Sequence, residues 1–241
     1  MKDQISSEPR VFGVGLPKTG LTSLSTLMRT IGRENTGAGK QMRRWFFVDK
    51  DYQKLLERYD SGNYFCDGPT CLMYREAFYR YGRGARFILT VRNDAKTWLD
   101  SLKRHSLYAG VKNKMRWMFG RFYPFGFDDE FKAYYEEHNR DVVKFFADQN
   151  ASELLLVLRC DEPSGLARLS EFLGVSFPVD QFPRENVSSP NRRGMTNFAK
   201  RHYNRIGQAL YVLVAPRVRV RFREPARPID LSGARSPTPR P

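Results

Sequence analysis

The chain has 241 residues, of which 41% are hydrophobic and 14% aromatic, which is enough for one sizeable core but not for two. No window reaches the roughly 20 apolar residues of a membrane span, and the three cysteines lack metal-ligand spacing, so composition argues against a membrane-spanning protein and a zinc site. The net charge of +15 favours anionic ligands or surfaces. We expect a soluble, cytoplasmic protein with reduced thiols.

Apolar runs alternate with segments of helical period from the first strand onward. Strands are predicted at 10–15, 63–66, 86–91 and 153–159, and helices at 21–31, from Asp94 to His105, from Asp129 to Asp148, and from Asp161 to Gly174. Strands separated by helices predict an α/β fold with three layers, α/β/α, around a central parallel sheet. We expect one domain over residues 1–223 and a disordered Pro- and Arg-rich tail at 224–241.

The segment 107–127 is aromatic and basic and has no clear period. It has two interpretations: a lid over an apolar or acidic substrate, or core that covers the edge of the sheet.

The first strand and first helix enclose a glycine-rich turn, VFGVGLPKTGLTSL, which begins at Val11. A strand, a tight turn and a helix N-terminus make an anion site, because unpaired backbone N–H groups and the helix dipole meet at one point. Gly15 and Gly20 have the separation found in nucleotide-triphosphate loops, but Leu21 stands where those loops carry lysine. The lysine of this loop is Lys18, inside the turn.

LPKTGLTSL resembles the 5′-phosphosulfate loop of sulfotransferases that use 3′-phosphoadenosine 5′-phosphosulfate (PAPS), whose pattern is Pro-Lys-[Thr/Ser]-Gly-Thr-[Thr/Ser]-x-Leu. The resemblance implies the P-loop-like sulfotransferase fold, PAPS as sulfuryl donor and no metal requirement. Leu21 departs from the family's usual threonine. By the family's pattern, Lys18 would neutralise the leaving phosphate, and the donor-binding loop would comprise Pro17, Lys18, Thr19, Gly20, Leu21, Thr22 and Ser23.

A second element, TVRNDAKTWLDS, places Arg92 after the third strand and Ser101 on the next helix. It resembles the family's 3′-phosphate motif, with Ala95 in place of the usual proline. A guanidinium suits a dianionic phosphate because it can donate two parallel hydrogen bonds. Near the C-terminus, Arg192, Arg193 and Gly194 stand where cytosolic members carry Arg-Lys-Gly, and they are candidates for the same phosphate or for a solvated charge run.

The resemblance covers roughly Val11 to Asn186, through segments that include DGP from Asp67 and FPREN from Phe182. In cytosolic members a histidine after the second strand is the general base, and here Asp67 takes its place. Asp67 could equally cap the turn before Gly68-Pro69. We rank Asp67 first and His105 second as the base. His138 lies on an apolar helical stripe and is expected to be a core residue.

Two other functions compete with sulfuryl transfer. A nucleotide-triphosphate enzyme could use Asp161, after the fourth strand, as its metal-binding acid, but Lys is absent after Gly20. A non-enzymatic basic protein could bind nucleic acid or membrane through the C-terminal segment, in which residues 191–241 carry twelve Arg or Lys against two Asp or Glu.

For the sulfotransferase, the expected acceptor is a hydroxyl, or as second choice an amine, of a small molecule or saccharide. We further expect contact of the basic C-terminal segment with an anionic surface and no need for nucleic acid. The oligomeric state stays open.

Overall fold

The structure is a computed structural model that describes residues 8–109, 117–183 and 195–214. Within these residues, one sheet contains four strands: β1 (Arg10–Gly13), β2 (Tyr64–Cys66), β3 (Ala85–Thr90) and β4 (Leu155–Leu158). Their order is β2-β1-β3-β4, and every neighbouring pair is parallel. All the strands therefore end at the same edge of the sheet, where the loop after β1 lies.

Helices connect and cover these strands. They are α1 (Leu21–Arg29), α2 (Lys40–Arg44), α3 (Tyr52–Asp60), α4 (Tyr74–Tyr81), α5 (Ala95–Ala109), α6 (Asp128–Asp148), α7 (Gly165–Leu173) and α8 (Met195–Val214). A π-helical turn, Trp45–Asp49, follows α2 directly. In the described part of the chain, no helix is long and apolar enough to cross a membrane.

The two faces of the sheet carry separate cores because successive side chains of a strand point to opposite sides. Phe12 and Phe87 pack with residues of α3, α4 and α6 on one face. Val11 and Ile88 pack with residues of α1 and α7 on the other. The expected three-layer α/β/α fold around a parallel sheet is therefore confirmed.

A third core cluster lies between α5 and α6 and includes Leu16, from the loop after β1. Met118 and Phe119 belong to it, and they are 6% and 2% exposed. Of the two interpretations of segment 107–127, the described residues from 117 onward therefore support core. The loop after β1 is anchored in that core through Leu16.

The sequence misplaced some boundaries. The last predicted helix does not begin at Asp161: turns join Glu162 to Arg159 and Gly165 to Glu162, and α7 begins at Gly165. Helices α2, α3 and α4 were not predicted. Their buried residues pack in the core against residues distant in sequence. The tail at 224–241 lies outside the described residues.

Candidate active site at the loop after β1

The loop between β1 and α1 is held through its carbonyl oxygens. Three of them accept N–H donors from other elements, each at 2.9 Å: Val14 from Nε2 of His138, Pro17 from Nε1 of Trp98, and Lys18 from Nε of Arg92. These donors lie on α6, on α5 and at the end of β3. Because these carbonyl groups point into the protein, the surrounding core fixes the conformation of the loop before any ligand binds.

Thr19 is turned inward as well. Its hydroxyl donates to the carbonyl oxygen of Leu16 at 2.7 Å and lies 2.6 Å from the hydroxyl of Thr90, and the residue is 1% exposed. By the resemblance, we expected Thr19 to be one of the loop residues that contact the oxygens of the sulfuryl donor. The structure instead gives its hydroxyl an internal role, tying the loop to the end of β3.

Two glycines are required by close approaches. A Cβ on Gly15 would lie 2.1 Å from Oγ1 and 2.5 Å from the carbonyl oxygen of Thr90. Gly20 has a left-handed φ of 116°, and a Cβ there would lie 2.7 Å from Sγ of Cys160. The Cys160 thiol is 3.8 Å from the carbonyl oxygen of Gly20, and burial raises its pKa to about 12, so it is a packing group at neutral pH.

The N-terminus of α1 is open for an anion. Gly20 is its N-cap residue, no side chain caps the helix, and its first turn contains no acidic residue. The N–H groups of Leu21, Thr22 and Ser23 therefore have no intrahelical partner. The side chain of Leu21 is 7% exposed and belongs to the core, so Leu21 can contribute only its backbone. Lys18, with a left-handed φ of 78°, adds a positive charge three residues before Leu21, where the helix begins.

Arg92 is joined directly to this loop. Its Nε–H donates to the Lys18 carbonyl, while its backbone N–H donates to the hydroxyl of Tyr135 at 2.7 Å. The Nε bond uses one of the five N–H donors of the guanidinium. Ser101 is 6% exposed and lies one turn of α5 beyond Trp98, which contacts Pro17. The structure therefore brings the two predicted phosphate motifs to one edge of the sheet.

Of the two candidates for the general base, Asp67 lies at the edge of the sheet where the loop after β1 begins. It directly follows β2, whose last residue, Cys66, pairs with Gly13 at the end of β1. Asp67 is partly buried and has a left-handed φ of 71°. His105 is exposed and lies seven residues beyond Trp98, about 10 Å further along α5. The choice between Asp67 and His105 as the general base stays a prediction.

The remaining predicted residues have different outcomes. His138 is partly buried and hydrogen-bonded to Val14, as expected of a core histidine, but its role in holding the loop was not foreseen. Arg192, Arg193 and Gly194 lie outside the described residues.

Asp161, the acid of the competing nucleotide-triphosphate hypothesis, is exposed and lies 3.5 Å from Nε of Arg159. Among the described residues there is no group of three or more His, Cys, Asp or Glu that could hold a metal.

If adenosine 3′,5′-bisphosphate binds at this loop, as the resemblance to PAPS-dependent sulfotransferases implies, replacing the fully buried Trp98 with phenylalanine should weaken its binding about tenfold, because the Pro17 carbonyl loses its N–H donor. Calorimetric titration measures the affinity. The matched control is Trp117→Phe, since Trp117 is 37% exposed and stacks on Phe47 at 5.9 Å. Equal affinity of Trp98→Phe and Trp117→Phe would show that Trp98 only fills space.

His138 should make stability depend on pH. Burial lowers its pKa, against smaller opposing effects of the hydrogen bond to the Val14 carbonyl and of the charge of Asp141. Below about pH 6.5 the unfolded chain binds a proton that the native imidazole does not. The free energy of unfolding should therefore decrease as the pH is lowered, by up to about 1.4 kcal/mol per pH unit. In His138→Gln the amide can still donate to Val14 but cannot titrate. Urea unfolding at about pH 7.5 and about pH 5.5 should show a smaller fall in this variant; the same fall in both proteins would contradict the assignment.

Comparison with known proteins agrees with this geometry. The sequence profile of the family described as "Sulfotransferase domain" matches residues 10–190, which include every strand of the sheet, the loop after β1, Asp67, Arg92 and Ser101. No curated protein sequence matches the chain. The matched segment covers about three quarters of the 241 residues, so the chain belongs to the sulfotransferase domain family.

Proposed function

We propose that this protein transfers the sulfuryl group of PAPS to a hydroxyl acceptor, with an amine as the second choice. The observation that carries the proposal is the 2.9 Å hydrogen bond from Nε of Arg92 to the carbonyl oxygen of Lys18. It joins two cationic residues, each on a separate anion-binding motif, at one edge of the sheet. Two anion sites side by side suit a ligand that carries a 5′-phosphosulfate and a separate 3′-phosphate.

The residues present fit such a donor. The uncapped first turn of α1 offers N–H groups, Lys18 offers an ammonium, and the remaining N–H donors of Arg92 suit a phosphate. By the family's pattern, Ser101 on α5 would add a hydroxyl donor to the same phosphate. The carbonyl oxygens of Val14, Pro17 and Lys18 accept hydrogen bonds from within the protein. Their lone pairs therefore do not face a bound anion and do not repel it.

Bound PAPS supplies an activated sulfuryl group whose leaving group is a phosphate. In an in-line displacement, negative charge accumulates on that phosphate as the S–O bond breaks. Lys18 and the helix N-terminus stabilise this charge, and they stand ready before the reaction because the core fixes the loop. The bond that forms joins the acceptor oxygen to sulfur, and the acceptor must lose its proton.

Asp67 is the base in this proposal, and Asp67→Asn tests it. Asparagine tolerates the left-handed φ of 71° and fills the same volume, so it preserves the turn while removing the carboxylate. We expect kcat to fall about 100-fold or more while the affinity for adenosine 3′,5′-bisphosphate stays within about twofold. Activity close to that of the wild type would assign Asp67 to the turn alone.

Calorimetric titration with adenosine 3′,5′-bisphosphate tests donor binding. The proposal expects binding without magnesium and at least about tenfold weaker binding of adenosine 5′-monophosphate, which lacks the 3′-phosphate. The competing nucleotide-triphosphate enzyme would bind ATP only with magnesium. Magnesium-dependent ATP binding together with no binding of the bisphosphate would overturn the proposal.

A further inference from the structure

Helix α8 packs against the protein with polar residues inward. Asn204 and Gln208 are each 4% exposed, and Nδ2 of Asn204 donates to the carbonyl oxygen of Leu107 on α5 at 2.7 Å. The ring of Tyr211, on the same side, lies 5.9 Å from that of Tyr123. The contacts of α8 with the domain thus use a face that is partly amide.

The opposite face of α8 is apolar and open. Tyr203, Ile206 and Leu210 are 76%, 62% and 57% exposed, and they are the three most exposed large apolar side chains of the described residues. Their spacing of three and four places them in one stripe along the helix. A stripe of this kind on a helix that buries the amides of Asn204 and Gln208 marks an interaction surface rather than scattered exposure.

The sequence segment that contains this stripe carries charge of a single sign. Arg205 is exposed on α8. In the sequence, residues 187–223 contain nine Arg or Lys and no Asp or Glu, while the domain before them carries both signs. An apolar stripe on a helix within such a basic segment has the chemistry of helices that lie at a membrane surface.

We propose that the stripe Tyr203, Ile206 and Leu210, together with Arg205 on the same helix, is a docking surface for an anionic lipid bilayer. A lipid surface neutralises the charge and covers the stripe at once. A second copy of the chain would bring two basic segments together, and like charges repel. A nucleic acid would satisfy the charge, but its bases stack on aromatic rings and leave Ile206 and Leu210 without apolar partners.

Co-sedimentation of the full chain with vesicles tests the surface. Binding to phosphatidylcholine vesicles that contain phosphatidylserine should exceed binding to pure phosphatidylcholine at least about tenfold and should fall with added salt. The double variant Ile206→Ser/Leu210→Ser should bind about tenfold more weakly, and Arg205→Gln about fivefold. The control Val48→Ser/Val143→Ser removes side chains that are 55% and 45% exposed elsewhere, and it should bind as the wild type does.

Equal binding of the wild type and Ile206→Ser/Leu210→Ser, or no preference for phosphatidylserine, would overturn the proposal. So would a dimer in sedimentation velocity that dissociates in this variant, or RNA binding that depends on these two residues, if vesicles are not bound. Urea unfolding checks that each variant folds. If the double variant does not fold, Arg205→Gln and the salt dependence decide the outcome.

Discussion

Replacing Lys18 with methionine should lower the rate of sulfuryl transfer about a thousandfold. Methionine keeps a long, unbranched side chain at the left-handed φ of 78° but removes the positive charge beside the N-terminus of α1. In other enzymes, loss of one preorganised group that stabilises developing charge costs about 100- to 1,000-fold, and in the proposed reaction that charge develops on the leaving phosphate. Release of adenosine 3′,5′-bisphosphate from PAPS measures the rate.

Lys50 provides a matched control for this variant. It also has a left-handed φ, of 56°, and it ends the π-helical turn Trp45–Asp49 rather than lying in the loop. Lys50→Met should leave the rate within about twofold, because substitution of an exposed side chain outside the loop seldom has a large effect. A similar loss in both variants, or a Lys18→Met enzyme that keeps its rate, would contradict the role given to Lys18.

Adding one methyl group at Gly15 should abolish donor binding. In Gly15→Ala the new Cβ would meet both the hydroxyl and the carbonyl oxygen of Thr90, and the carbonyl belongs to the backbone of β3. Loop and strand must therefore move apart, which also strains the contact of Thr19 with Thr90. We expect a loss of about 3 kcal/mol in the free energy of unfolding and at least about a 100-fold loss in affinity for adenosine 3′,5′-bisphosphate.

Gly84→Ala is the control for Gly15→Ala. A Cβ at Gly84 would have no neighbouring atom within 4 Å, so its effect on unfolding should stay within about 0.5 kcal/mol. Urea unfolding and calorimetric titration of both variants give the comparison. If Gly15→Ala binds the bisphosphate as the wild type does, the loop is not fixed against Thr90 in the way the structure shows.

The sequence predicted the layout of the site because its signals are local. Each strand is an apolar run, and the loop after β1 shows its glycines and lysine within ten residues. Arg92 and Asp67 could be placed at the same edge of the sheet because parallel strands end together. The alternation of strands and helices also predicted a parallel sheet covered on both faces, but not the order of its strands.

The contacts that hold the loop could not be predicted in this way. Thr19 and Thr90 are 71 residues apart, and His138 and Val14 are 124 apart. The sequence around Thr19 is the same whether its hydroxyl faces a ligand or the end of β3. Only the folded structure shows which of the two it faces. For His138, its place on an apolar stripe indicated burial but not the carbonyl group that its imidazole meets.

The central claim is that one ligand bridges the loop after β1 and Arg92. A crystal structure of the protein with adenosine 3′,5′-bisphosphate tests it most directly. The account predicts the 5′-phosphate at the N-terminus of α1 beside Lys18, and the 3′-phosphate in contact with the guanidinium of Arg92. A 5′-phosphate bound away from this loop, or a 3′-phosphate that touches neither Arg92 nor Ser101, would contradict it.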